Sequence, residues 1–150
     1  MKLLSILALS ALTSLAGDLA AVKSVYLLPM SGGLDQYLAV RLTSTGAFQV
    51  VTDPAQADAI FTDRIGSNFE QTLKDTYAVK SADDKDKQDE FNKPTMQPLS
   101  RGKGSLFLVD RRTHVVLWSM FAKPKSSQAD DMNQLAMRIA SQLGKDRKGK

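Results

Sequence analysis

Two apolar runs near the carboxyl end constrain the fold of this chain more than any other feature. Residues 105–110 (SLFLVD) and 115–121 (VVLWSMF) are rich in β-branched and aromatic side chains, which is typical of β-strands. Only residues 111–114 separate the two runs, so we expect an antiparallel hairpin. Apolar residues fall on both faces of both runs. The pattern therefore predicts strands that are central to a sheet with something packed on each side.

The rest of the chain alternates between strand and helix patterns. Further strands are predicted at residues 23–29, 48–51 and 59–65. Helices are predicted at residues 34–45, at 67–78, and from Ser126 or Ser127 to a stop at Gly144, with a brief helical turn at 54–57. The last helix carries one apolar stripe, which consists of Met132, Leu135, Ala136, Ile139, Ala140 and Leu143. The sequence thus predicts an α/β (α+β) fold with a single mixed sheet of about five strands, in the order β-α-β-(α)-β-(α)-β-β-α.

Three segments flank or interrupt the single domain predicted over residues 17–143. Residues 1–16 combine Lys2 with a long apolar run and end in Ser14-Leu15-Ala16, which predicts a signal peptide cleaved before Gly17 or, alternatively, after Ala20 or Ala21. An uncleaved anchoring segment is the other interpretation of this run. Residues 81–103 hold few apolar side chains and the charge cluster DDKDKQDE, which predicts a flexible charged insertion. Residues 144–150 are predicted to form a basic tail.

The location of the charge bears on which partners the chain can have. The formal net charge is +4, but four lysine and arginine side chains against one aspartate lie in the predicted tail, and the body is close to neutral. A nucleic-acid-binding domain carries its basic residues on a folded face, so we expect no nucleic-acid partner. A tail of this kind is either solvated or weakly attracted to an anionic surface. No stretch after the leader is long and apolar enough to cross a bilayer.

Residues able to carry out catalysis are scarce in this sequence. The chain has no cysteine and a single histidine, His114, which falls at the predicted hairpin turn. There is no Gly-x-Ser-x-Gly elbow to supply a nucleophilic serine. We therefore expect no enzyme, no cofactor and no metal site. The one candidate ligand turn is Ser31-Gly32-Gly33, between the first strand and the first helix, where phosphate can bind a helix amino terminus. A tight turn without a ligand is the alternative.

Three motifs resemble a group of bacterial envelope domains. They are GAFQVV at 46–51, ADAI at 57–60 and LVDRRTHVVLWS at 108–119, the last being similar to a hairpin of the form Leu-x-Asp-x-x-Thr-Gly-x-x-Leu-Trp-Ser. Such small α/β domains occur in the curli-secretion lipoprotein family, in lipoprotein activators of penicillin-binding proteins, and at the amino terminus of the periplasmic Tol-system protein. This chain departs from the group in lacking a lipidation cysteine and in having His114 where glycine is common.

Together the leader and the resemblance imply an exported protein, periplasmic or secreted, whose work is contact with other envelope components. The leading hypothesis is a non-catalytic module that binds a periplasmic or outer-membrane component through its surface or a sheet edge. Self-association is a further option for the partner. The competing hypothesis is a small-ligand-binding protein or enzyme that uses the Ser31-Gly32-Gly33 turn.

Overall fold

The computed structural model of the protein describes residues 18–81 and 104–149. The predicted signal peptide and all but the first residue of the predicted insertion lie outside these residues. The strands are β1 (Ser24–Leu27), β2 (Gln49–Val50), β3 (Ala59–Thr62), β4 (Ser105–Asp110) and β5 (Val116–Phe121). The helices are α1 (Leu34–Thr45), α2 (Ser67–Ser81) and α3 (Ala129–Lys148), with short 3₁₀ turns at Leu19–Ala21, Ser31–Gly33 and Pro54–Gln56.

All five strands form one mixed sheet in the order β2-β1-β3-β4-β5. Strand β1 pairs in parallel with β2 and β3, whereas β4 pairs antiparallel with β3 and β5. The predicted α/β class, the element order and the hairpin are confirmed. The prediction that both hairpin strands are central was wrong for β5, which forms an edge of the sheet. The apolar residues on both faces of β5 predicted that each face is packed against another element, yet Val116 and Phe121 are exposed.

Two apolar cores lie on opposite faces of the sheet. The larger core packs α1 and α3 against the face that carries Val25, Phe61 and Leu108. The smaller core packs α2 against the other face through Phe69 and Leu73. Each fully buried leucine or phenylalanine contributes about 1.5–3 kcal/mol to folding, so the larger core dominates the stability.

Both ends of α3 differ from the sequence-based expectation. Gln128 occupies the N-cap position, while Ser126 accepts a hydrogen bond from the Gln128 amide and donates one to the Asp131 carboxylate. The prediction that the helix stops at Gly144 was wrong, because α3 continues to Lys148. Arg147 supplies the physical reason. Its guanidinium lies 4.6 Å from the centre of the Phe48 ring and donates to the carbonyl oxygens of Ala47 and Val22, which anchors the last turn to the core.

Candidate functional site

The backbone of β5 presents hydrogen-bonding groups at the edge of the sheet that have no partner strand among the described residues. The Ala122 amide donates to the Gly104 carbonyl at 2.7 Å, and Ser119 lies opposite Phe107 in the register. In an antiparallel ladder the direction of the amide and carbonyl groups alternates along the strand, so those of Ser119 and Phe121 face away from β4. No described strand pairs with this edge.

The side chains of β5 give this edge an apolar surface. Phe121 is 72% exposed and Val116 is 41% exposed, and no residue of the strand is charged. Natural edge strands are usually protected against unwanted pairing by charged residues, proline or a bulge. Among these devices β5 has a register irregularity near Leu108 and Val109, and Pro124 comes only after the strand ends. The strand itself thus carries neither a charge nor a proline against pairing, and the irregularity near Leu108 and Val109 is its one protective feature among the described residues.

Basic side chains lie at both ends of this edge. Arg112 precedes β5, and Lys123 and Lys125 follow it. All three residues are exposed, and none forms a salt bridge with another residue in the described ranges. The edge thus consists of a neutral apolar centre between two positively charged ends.

Asp58, which belongs to the ADAI motif at 57–60, connects the ends of three strands. The Asp58 carboxylate accepts hydrogen bonds from the amides of Lys23 and Ser24 at 2.9 and 3.0 Å, which joins the start of β3 to the start of β1. These two backbone donors hold the pKa of Asp58 below its ordinary value. The Arg111 amide donates to the Asp58 carbonyl, so the end of β4 joins the same cluster. Asp58 therefore links β1, β3 and β4 at the same end of the sheet.

The hairpin turn between β4 and β5 is built by Asp110. Its carboxylate accepts from the Arg112 amide at 2.9 Å and from the amide and hydroxyl of Thr113 at 2.8 and 3.0 Å. Burial acts to raise the pKa of Asp110, but the hydrogen bonds from Thr113 and Arg112 outweigh it and the pKa is lowered. The Asp-x-x-Thr part of the motif therefore forms and stabilises the hairpin turn.

His114 completes this turn in a left-handed conformation, with φ of 56°. Its Nδ1 atom lies 2.7 Å from Oε1 of Glu70, and its ring packs edge-on against Phe69 at 5.6 Å between centroids. The interpretation of His114 as a turn residue is confirmed. Through these contacts the residue attaches the hairpin turn to α2.

Trp118 is a core residue with one polar contact. The side chain is 8% exposed and packs edge-on against Phe61, with 6.5 Å between ring centroids. Its indole nitrogen donates to the Asp146 carboxylate at 2.8 Å. Asp146 lies in the part of α3 that the sequence assigned to a tail, so the extra turn of the helix also supports β5.

The second candidate site is a pocket of 220 Å³ where β1, β3 and β5 end. Ser31 and Gly32 of the predicted ligand turn line it, while Gly33 does not. The structure brings these two residues together with Asp63, which follows β3, and Lys123, which follows β5. In open α/β sheets, ligands bind outside the carboxyl ends of the parallel strands, which is where this pocket lies.

Asp63 changes the chemistry expected of the Ser31-Gly32-Gly33 turn. Its carboxylate accepts from the amide and the hydroxyl of Ser31 at 2.8 and 2.7 Å, and from Nε of Arg64 at 3.0 Å. Burial acts to raise the pKa of Asp63, but these hydrogen bonds outweigh it and the pKa is lowered. The Ser31 donors that a phosphate would use already bind a carboxylate of the protein itself, so the turn does not favour an anionic ligand.

Sequence reasoning did not single out Phe121, Asp63 or Lys123. For Phe121 the signal is the period of two along β5, which places it on the face opposite Trp118 and Met120. For Asp63 the signal is a polar residue directly after a buried strand. No local pattern marks Lys123, because the pocket it lines is formed by four separate segments of the chain.

Comparison of the chain with family models, with curated proteins and with solved structures finds no match. Within residues 18–81 and 104–149, no group of three or more histidine, cysteine, aspartate or glutamate side chains is placed to hold a metal ion. None of the helices in the same ranges combines the length and the apolar character needed to span a membrane.

Proposed function

We propose that the protein is an exported, non-catalytic module of the cell envelope that binds another periplasmic or outer-membrane protein through the free edge of β5. The leader pattern at residues 1–16 supports export. The observation that carries the binding proposal is the six-residue apolar edge strand, whose outward backbone groups have no partner strand in the described part of the chain. The resemblance to envelope domains that make protein contacts agrees with this proposal.

Strand addition is the mode of recognition that such an edge favours. An extended segment of the partner would form backbone hydrogen bonds with Ser119 and Phe121, and these bonds supply affinity without specifying sequence. The exposed Phe121 ring would pack against a side chain of the added strand, and this contact supplies specificity. The sheet then gains a sixth strand while its own pairing is unchanged.

Charge indicates what kind of segment binds. Arg112 lies at one end of the edge, and Lys123 and Lys125 lie at the other, so acidic residues flanking a short apolar stretch would be complementary. Self-pairing is disfavoured by the same groups. In a symmetric antiparallel pair centred on Ser119, Lys125 of one copy would lie opposite Thr113 and next to Arg112 of the other copy. Like charges in this position are destabilising.

A proline at position 119 tests the proposal. The outward amide of Ser119 makes no bond to β4, so Ser119→Pro removes a donor from the edge and leaves the ladder intact. Ser119→Ala is the matched control because it keeps the amide. We expect a partner that is crosslinked to wild type and to Ser119→Ala in cells, and identified by mass spectrometry, to be lost with Ser119→Pro.

Folding of the proline variant is checked by circular dichroism. Phe121→Lys is a second edge variant in case the proline unfolds the sheet, since it adds charge to an already exposed position. Equal capture by all variants would contradict the edge as the binding surface. Absence of any protein partner would contradict the proposal that the protein is a protein-binding module.

Small-ligand binding is the second candidate function, and the pocket beside Ser31 and Gly32 favours it. A ligand that binds only the native state raises the melting temperature, so a thermal-shift screen separates the two candidates. Protein crosslinks without a thermal shift support the edge. A thermal shift without crosslinks supports the pocket.

A further inference from the structure

The walls of the pocket are mainly apolar. Six side chains supply most of them, namely Leu34, Leu106, Ala122, Pro124, Met132 and Leu135. The volume of 220 Å³ exceeds the roughly 150 Å³ of an apolar cavity that is known to hold benzene in another protein. The interior therefore suits a short alkyl chain or a single ring.

The acidic group in the wall is already satisfied. Both oxygens of the Asp63 carboxylate accept hydrogen bonds, one from Ser31 and the other from Arg64. Arg64 also balances the charge, as its Nε lies 3.0 Å from Oδ1 of Asp63. Asp63 thus gives the pocket little attraction for a cationic ligand.

The basic group at the rim has no such partner in the described part of the chain. Lys123 lines the pocket, is exposed, and forms no salt bridge with another residue of the ranges described. Ser127 also lines the pocket, and its side chain is a hydroxyl, which can donate a hydrogen bond. An ammonium and a hydroxyl at the mouth of an apolar pocket are complementary to a carboxylate.

We propose that this pocket binds a small carboxylate with an apolar body, the body lying among Leu34, Leu106 and Leu135 and the carboxylate lying at Lys123. The proposed carboxylate site at the rim is separate from the Ser31 donors, which remain bound to Asp63. The inference does not depend on a partner strand at β5. It gives a chemical class to the ligand of the second candidate function.

Two probes of equal length and opposite charge, hexanoate and hexylammonium, test the head group. The measurement is a titration of the isotope-labelled protein followed by backbone amide chemical shifts. We expect saturable shifts at Gly32, Gly104 and Met132 with hexanoate. Binding of hexylammonium should be weaker by about two- to five-fold, the range expected for one exposed ion pair. Equal binding of both probes, or shifts centred on Phe121 instead, would overturn the proposal.

Charge reversal at the rim provides the matched comparison. Lys123→Glu should remove or invert the preference for hexanoate, whereas Lys125→Glu should leave it unchanged because Lys125 does not line this pocket. Both side chains are exposed, so neither change threatens the fold. A preference for hexanoate that survives Lys123→Glu would contradict the assignment of the carboxylate to Lys123.

Filling the pocket tests the apolar body. Ala122→Leu adds volume to the wall and should abolish the shifts produced by hexanoate. Circular dichroism shows whether this buried substitution is tolerated. If the Ala122→Leu protein does not fold, the comparison of Lys123→Glu with Lys125→Glu tests the proposal. Unchanged hexanoate binding in a folded Ala122→Leu protein would place the ligand elsewhere.

Discussion

Replacing Trp118 by alanine tests whether the motif residues around β5 hold the fold together. The indole is 8% exposed, packs against Phe61 and donates to Asp146. Trp118→Ala removes both contacts at once. Asp146 remains hydrogen-bonded after the change, because Gln142 donates to its other oxygen at 2.8 Å. Lost packing is therefore the main effect.

The size of the effect follows from the burial. Tryptophan-to-alanine changes in protein cores cost about 3–5 kcal/mol. Trp118 lies on an edge strand, where neighbours and water can partly fill the space, so we expect a loss of about 3 kcal/mol in the free energy of unfolding. For a domain of this size, such a loss lowers the melting temperature by roughly 10–15 °C.

Urea denaturation followed by circular dichroism is the assay, since Trp118 is the single tryptophan and its removal abolishes the usual fluorescence signal. Phe121→Ala is the matched control, because it is an aromatic residue of the same strand that is 72% exposed. We expect the control to cost less than about 1 kcal/mol. A cost below about 1 kcal/mol for Trp118→Ala, or equal costs for the two variants, would refute the reasoning.

Three further outcomes are expected. Three carboxylates in residues 18–81 and 104–149 have a lowered pKa, namely Asp58, Asp63 and Asp110. The folded state binds fewer protons at these groups than the unfolded state. The stability that these carboxylates contribute should therefore be fully present above about pH 5 and should fall as the pH drops below about 4. Urea denaturation at several pH values measures this change in the free energy of unfolding. Asp58→Asn should flatten that dependence, and an unchanged pH profile would argue against its role. Gly144→Ala should stabilise the protein by about 0.5–1 kcal/mol because α3 continues through this position, whereas Gly46→Ala should destabilise it by about 1 kcal/mol because φ is 65° there. Loss of stability in both glycine variants would contradict the length of α3. Deleting residues 83–98 and joining the ends by a short linker should preserve a cooperative thermal melt, because that sequence is highly charged and poor in apolar residues. A non-cooperative melt would contradict this.

Local patterns predicted most of the elements. Helix α1 has the predicted bounds of Leu34–Thr45, because a helical apolar period and a following Gly46 are both local signals. The end of α3 was mispredicted because a glycine in a helix is tolerated when tertiary contacts continue beyond it. Those contacts join Arg147 to Phe48, about a hundred residues earlier in the chain, so no local pattern reveals them.

The candidate sites were harder to predict than the elements. The order of strands in the sheet decides which strand is an edge, and the apolar pattern of β5 does not distinguish a covered strand from an exposed one. The Ser31-Gly32-Gly33 turn was recognised from its glycines, but its binding chemistry depends on Asp63, which lies about thirty residues later. Sequence order does not show such a pairing in space.

Site-specific photocrosslinking in cells tests the central claim most directly. A photoreactive amino acid is placed at position 119 on the edge of β5 or, as the control, at Val40, which is 64% exposed on α1. If the protein binds an envelope partner by strand addition, position 119 should give one discrete protein adduct and position 40 should not. The claim is contradicted if position 119 gives no adduct, or if both positions give the same set of adducts.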